Sequence, residues 1–293
     1  MMRLSTASCL LALSLLATGN AAAADERHLA RLQSERTCGG CDLSQARLWW
    51  RDLRGVRLAE ADLSGASLWW SDLFGADLGS AKLIQSSLWW ADLSAANLRH
   101  ADLRQAILSR ALVQGASLVG AQLVDADLSG ANLTQANLAG ANLNRAHLLQ
   151  AVLPLAGLRG ADLSEANLHL ADMRGVDLTG ANLSRAAVTR VRLDGANLSG
   201  ANLRQARLDG SDLSGASLRG ADLSGAALPT VSLRGADLRD AVLIDASLWA
   251  VDLAGADLSG ADLTGALLSR VELGGALRCR TRLPTGMDDS GCK

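Results

Sequence analysis

The sequence has no tyrosine, a single phenylalanine and only three prolines. A core packed around aromatic rings is therefore excluded. Charge of either sign is also not in excess: 28 Lys and Arg stand against 30 Asp and Glu, a net of −2. That balance argues against a strongly basic nucleic-acid binder and against a strongly acidic nucleic-acid mimic. Long apolar runs are missing too. The longest, Cys9 to Ala17, is too short to cross a bilayer as a helix. No P-loop and no dinucleotide fingerprint occurs. Serines are plentiful but lack a His–Asp arrangement to activate them. No catalytic residue, cofactor site or metal site is expected, and the chain does not read as an enzyme.

What is present is a narrow alphabet of Leu, Ala, Asp, Asn, Arg, Ser and 29 Gly. The apolar fraction of 49% is enough to support a core. Such composition calls for a search for repeats. Read from Leu43 in steps of five, the chain returns Leu at every position to Leu273, except Val113, Met173 and Val188. The frame holds for 47 positions without insertion. Two residues before each centre stands a small residue, usually Ala. The typical unit is Ala-(Asp/Asn)-Leu-Ser-Gly, as at 61–65 and 221–225.

A period of five fits neither regular structure. Side chains alternate with period two on a strand, so Leu43 and Leu48 would face opposite ways. On an α-helix five residues overshoot a turn by roughly 140°, and the leucines would spiral around every face. One corner per repeat resolves the conflict. Ala and Leu face inward on a short extended side, and the following Ser-Gly pair turns the chain. The tryptophans give the number of sides. Trp49-Trp50, Trp69-Trp70 and Trp89-Trp90 recur every 20 residues, and Trp249 lies 160 residues beyond Trp89. Twenty residues are four repeats, so these residues should stack along one face of a four-sided coil.

This pattern closely resembles the pentapeptide-repeat family, over residues 41–277. The resemblance implies an all-β fold: a right-handed quadrilateral parallel β-helix, a solenoid of about 12 coils. At the usual inter-strand spacing its length is roughly 55 Å. Unlike members with a central Phe, this chain has no aromatic centre, so its core should be narrow and aliphatic.

The expected organisation has four parts. Residues 1–24 read as a signal peptide: Arg3 is the only charge, and Ala22-Ala23-Ala24 suits cleavage before Asp25. The mature protein is then secreted or periplasmic, with 27 basic and 30 acidic residues. Residues 25–40 form an N-terminal cap, with a short helix over 25–37 whose Leu29 and Leu32 share one face. The β-helix occupies 41–275, and 276–293 form a C-terminal cap. Both caps bear cysteines. Because the rod separates its ends, only Cys38–Cys41 and Cys279–Cys292 can bridge within one chain. A redox role for the Cys38-Gly-Gly-Cys41 motif lacks the βαβ context it would need.

The Asp and Asn before each Leu recur too regularly for catalytic or calcium-binding groups and read as a structural ladder. His147 and His169, 22 residues apart, should lie on successive coils, but no third metal ligand accompanies them. The tryptophans are the one departure from the repeat, and six on three coils would form an exposed apolar patch. The expected function is a non-catalytic structural or protein-interaction scaffold, presenting its Trp ladder to a protein partner or to itself. The alternative is a carbohydrate- or envelope-binding module that stacks sugars on the ladder. Some members of the family mimic nucleic acid toward topoisomerases; the leader and the weak net charge argue against that here.

Overall fold

The computed structural model describes residues 25–292. The expected leader, residues 1–24, lies outside them. No helix among the described residues is long and apolar enough to cross a membrane.

The chain opens with a helix, α1 (Glu26–Glu35). Asp25 caps it by accepting the Arg27 N–H at 2.9 Å, satisfying one of the donors a helix start leaves free. Hydrogen bonds from the Arg27 side chain and backbone lower the Asp25 pKa to about 2. Arg36 ends the helix in the left-handed conformation. The helix is thus shorter than the expected 25–37, because Thr37 already pairs in the first coil with Arg57. Leu32 is buried against that coil.

From Thr37 every fifth residue makes a parallel bridge to the residue 20 further on: Thr37 with Arg57, Asp42 with Asp62, Arg47 with Ser67, Asp52 with Asp72. The last such pair is Asp262 with Arg282. The ladder therefore starts before the expected residue 41 and runs past 275. Twenty residues make one coil, and four corners divide it. We number the sides by their central leucines: Leu43 for the first, then Leu48, Leu53 and Leu58. The architecture is a β-helical solenoid, but its strand content is low. Only about three residues separate successive corners, so a side holds one bridging residue rather than a strand. Three-residue strands form only near the end. There β1 (Ser247–Trp249) pairs in parallel with β2 (Leu267–Ser269). The hairpin β3 (Thr281–Leu283) and β4 (Gly286–Asp288) closes the chain.

Each bridge is held from both directions. The Leu43 N–H donates to the Asp62 carbonyl at 2.7 Å, and the Asp62 N–H donates to the Cys41 carbonyl at 2.8 Å. Corners stack as well: Gln45 N–H donates to Ser64 O at 2.8 Å. Within a corner, Ala46 N–H closes the turn on Leu43 O at 3.1 Å. The second corner residue has positive φ, 58° at Gln45 and 65° at Gly65, as a type II turn requires. This explains the glycine so common at that position.

The central leucines and the small residues before them are buried along the whole coil stack. Three serines replace the inward Ala and satisfy their hydroxyls on corner carbonyls. Ser71 reaches Leu68 O at 2.5 Å and Ser86 reaches Leu83 O at 2.8 Å. Ser211 works across coils. It donates to Val188 O at 2.6 Å and accepts from Val191 N–H at 3.0 Å. The Asp and Asn ladder is structural, as expected. Asp42 Oδ1 accepts the N–H of Ser44 at 3.0 Å, which braces its own corner. Neighbouring coils also join through amides, as where Asn97 donates to Asp77 at 2.7 Å.

Candidate interaction face

Because Leu48, Leu68 and Leu88 point inward, the two residues after each are forced onto the corner and out toward solvent. On three successive coils these residues are Trp-Trp. One coil advances the chain by an inter-strand spacing, which brings equivalent rings to stacking distance. Trp50, Trp70 and Trp90 form one continuous column, with centroids 5.2 and 5.1 Å apart and planes within 3° and 9°. The Arg110 guanidinium closes it, 5.5 Å from the Trp90 ring centre. These three rings occupy the positive-φ corner position (φ 56–59°).

The second column is shorter. Trp49 stacks on Trp69 at 5.2 Å. Trp89 leaves that line and stands nearly perpendicular to Trp70 and Trp90, with ring centres 6.1 and 6.4 Å away. Trp249 shares the side but stands apart, with Arg270 5.9 Å over its ring. Both faces of Trp70 are covered by its column neighbours, so solvent meets ring edges. Even so, Trp50 is 61% exposed and Trp49 43%.

The same side continues this character beyond the ladder. Ile107 is exposed on its flat part, and Leu149 and Leu170 at its corner. Leu267 and Leu268 finish it at the far end. His147 pairs in the ladder with Asn167, two residues before His169, so the histidines sit on adjacent coils. His169 Nδ1 lies 2.7 Å from Thr189 Oγ1. No group of three metal-ligating side chains occurs among the described residues.

Ion pairs dominate elsewhere. Where Arg follows Asp by two residues, it folds back onto the carboxylate: Arg174 Nη2 lies 2.6 Å from Asp172, and Arg239 Nη2 2.5 Å from Asp237. These hydrogen bonds from arginine hold both carboxyls below their ordinary range. The pairs are solvent-facing, so each adds little stability.

The two ends are closed differently. At the front, α1 supplies groups that stand in for a missing coil. His28 Nδ1 sits 3.2 Å from Asp42 N and 3.1 Å from Asp42 O. The Arg36 guanidinium donates to the carbonyls of Asp52 and Arg54, at 3.5 and 2.5 Å. The Cys38–Cys41 disulfide lies buried in the first coil. A cleft of about 260 Å³ remains between Leu29, Leu32 and the coil residues Leu48 and Leu53. At the back, Cys279–Cys292 and an Arg278–Asp288 ion pair of 3.1 Å hold the tail against the last coil. A cleft of about 360 Å³ lies between β2 and Pro284. Sequence reasoning missed the end-capping roles of His28 and Arg36. The polarity of His28 on α1 and of Arg36 just after it was visible, but their reach to open ladder groups was not.

Comparison with known proteins agrees with this architecture. The Pentapeptide repeats family matches in eight copies, across residues 41–79, 71–110, 106–145, 131–169, 156–195, 196–235 and 232–270. No curated protein gives a match. Among solved structures, HetL, a pentapeptide-repeat protein involved in heterocyst differentiation regulation in the cyanobacterium Nostoc sp. strain PCC 7120, is 32% identical. That match covers 88% of this chain and 96% of HetL, with a TM-score of 0.40. QnrB1, a plasmid-mediated fluoroquinolone resistance protein, is 18% identical over 61% of this chain and 88% of its own, with a TM-score of 0.35. A pentapeptide-repeat protein of the Arabidopsis thaliana thylakoid lumen is 32% identical over 36% of this chain and 66% of its own, with a TM-score of 0.23. With its family match spanning most of the sequence and its ladder advancing one coil every 20 residues, the chain belongs to the pentapeptide-repeat proteins.

Proposed function

We propose that the protein is a non-catalytic scaffold of an exported compartment: a right-handed rod of about 12 coils that docks through its tryptophan-bearing side. One observation carries the reading. All seven tryptophans of the chain follow the central residue of the second side, and none occurs on the other three. Ring stacking alone would not require them to stay as exposed as Trp50 and Trp249 are. Large aromatic surfaces left in solvent are characteristic of contact sites. The leader pattern and the two disulfides support an oxidising, exported setting.

The stacking geometry weighs against the carbohydrate alternative. A sugar ring needs an open aromatic face, and in the central column both faces of Trp70 are taken by rings and those of Trp90 by Trp70 and Arg110, which leaves only the outer face of Trp50 at the column's end. Interaction through ring edges suits a partner that wraps the strip.

The test uses a variant that removes the column and keeps the corner. Gly adopts positive φ freely, so Trp50→Gly, Trp70→Gly and Trp90→Gly preserve the backbone. Wild type should be retained by a crude cell-envelope fraction and the triple variant should not. Equal retention of both would refute docking through this side. Light scattering on the same pair separates self-association: a mass that falls in the variant would make a second copy the partner.

A further inference from the structure

The second side differs from the other three in charge as well as polarity. Over residues 41–275 it carries Arg47, Arg110, Arg190, Arg207 and Arg270 against only Asp127 and Asp209. The first side has nine carboxylates against five cations, the third eight against five, and the fourth six against five. The only net-positive side of an acidic rod is therefore the one that bears every tryptophan. Among the described residues, ten of the fifteen exposed large apolar side chains also belong to it, spread from Trp49 to Leu268. Its arginines are mostly uncommitted. Arg207 lies 3.7 Å from Asp209. Arg110 and Arg270 lie over indole rings instead. Arg47 and Arg190 are exposed.

We propose that this side docks on anionic phospholipid headgroups, with the rod lying lengthwise on the surface of the bilayer. The proposal rests on the scaffold reading above and names its partner. Three features favour lipid. First, charge complementarity calls for an anionic partner. Two copies paired about a two-fold axis through this side would set arginine against arginine, which disfavours a second copy. Second, beyond the tryptophan cluster at one end the apolar side chains continue along the rod, at Ile107, Leu149, Leu170, Trp249 and Leu267–Leu268, whereas protein hot spots cluster at the centre of an interface in well-packed pockets. The two clefts are at the rod ends; the rear one takes Ala266–Ser269 of this side together with Pro284 and Thr285 of the tail, and no cleft lies along the length between them among the described residues. Third, tryptophan concentrates at the lipid–water boundary, and arginine is drawn to an anionic leaflet. The acidic sides face away, and salt screens their repulsion beyond about 8 Å.

Flotation with phosphatidylcholine vesicles, with and without phosphatidylglycerol, tests this. The purified protein should float with the anionic vesicles only, and high salt should release it. Loss of each arginine should weaken partitioning by about five-fold. The variant Arg110→Gln/Arg190→Gln/Arg270→Gln should thus bind on the order of 100-fold more weakly. A control, Lys82→Gln/Arg145→Gln/Arg204→Gln, removes three cations from the first side and should float like wild type. Because all seven tryptophans are on the docking side, intrinsic emission should shift to the blue on anionic vesicles. Failure to float, equal loss in both arginine variants, or unmoved emission would each overturn the lipid proposal. If anionic vesicles are ignored while a membrane-free envelope extract still retains the protein through its tryptophans, the partner is an acidic protein. The lipid proposal then falls and the scaffold reading stands. If neither vesicles nor any envelope fraction is bound, both fall.

Discussion

Ser211 and Ser86 occupy equivalent inward positions, yet the fold makes different use of them. The Ser86 hydroxyl donates to Leu83 O, which already accepts the N–H of Ser86 at 3.1 Å. Ser211 instead bridges a corner of the preceding coil, where Val191 N–H donates to the serine. Ser211→Ala should cost about 1–3 kcal/mol, because it leaves a buried N–H without a partner. Ser86→Ala restores the repeat's usual residue and should be close to neutral. Urea unfolding of the two variants checks this; equal costs would contradict it. The column tryptophans invite a similar comparison. Trp50→Gly, Trp70→Gly and Trp90→Gly remove two stacked and three edge-on ring pairs, worth about 0.5–1.5 kcal/mol each beyond burial. The same change relieves three left-handed backbones at about 1–2 kcal/mol each. The terms oppose, so stability should change little even as retention on the envelope fraction is lost. A large fall in stability would mean that the ladder serves the fold.

At the level of elements, the disulfides should differ in accessibility. Cys38 and Cys41 are buried beneath α1, whereas Cys292 is exposed. Graded reduction followed by alkylation and mass analysis should label Cys279 and Cys292 first. Simultaneous labelling of all four would show that α1 does not shield the first coil. The carboxylates that brace the corners set the response to acid. Arginine bonding depresses the pKa values of Asp172 and Asp237, and Asp25 is lowered to about 2. Below about pH 4 the unfolded chain therefore binds more protons than the folded one. Melting temperature should be flat near neutrality and fall as pH drops below about 4. A rise on acidification would contradict the assignment.

These elements were legible in the sequence to different depths. The inward Leu and Ala follow from the period of five, and the 20-residue coil follows from the tryptophan spacing. Local disulfides follow from the separation of the rod's ends. The scarcity of true strands did not follow, because a side of about three residues bridges once and turns. The end of α1 was misplaced by the same local contest, since Thr37 gains more from the ladder than from another helical turn. The departure of Trp89 from its column depends on side-chain rotamers, which no spacing encodes.

The whole molecule is a rod whose sides are chemically unequal, and a net charge of −2 conceals this. Three sides are acidic and laced with Asp–Arg pairs. The second side gathers Arg110, Arg190 and Arg270 with every tryptophan. That division appears only once the 20-residue coil assigns each residue to a side. A flat, elongated contact surface is a direct consequence of a linear solenoid.

Hydroxyl-radical footprinting of the free protein and of the protein bound to a cell-envelope fraction tests the central claim most directly. Exposed tryptophans are read individually by mass spectrometry. Docking through the second side predicts protection of Trp49, Trp50, Trp70, Trp89 and Trp249, while Phe74 on the third side and Met287 in the tail stay reactive. Unchanged tryptophan reactivity, with protection at Phe74 or Met287, would contradict the account.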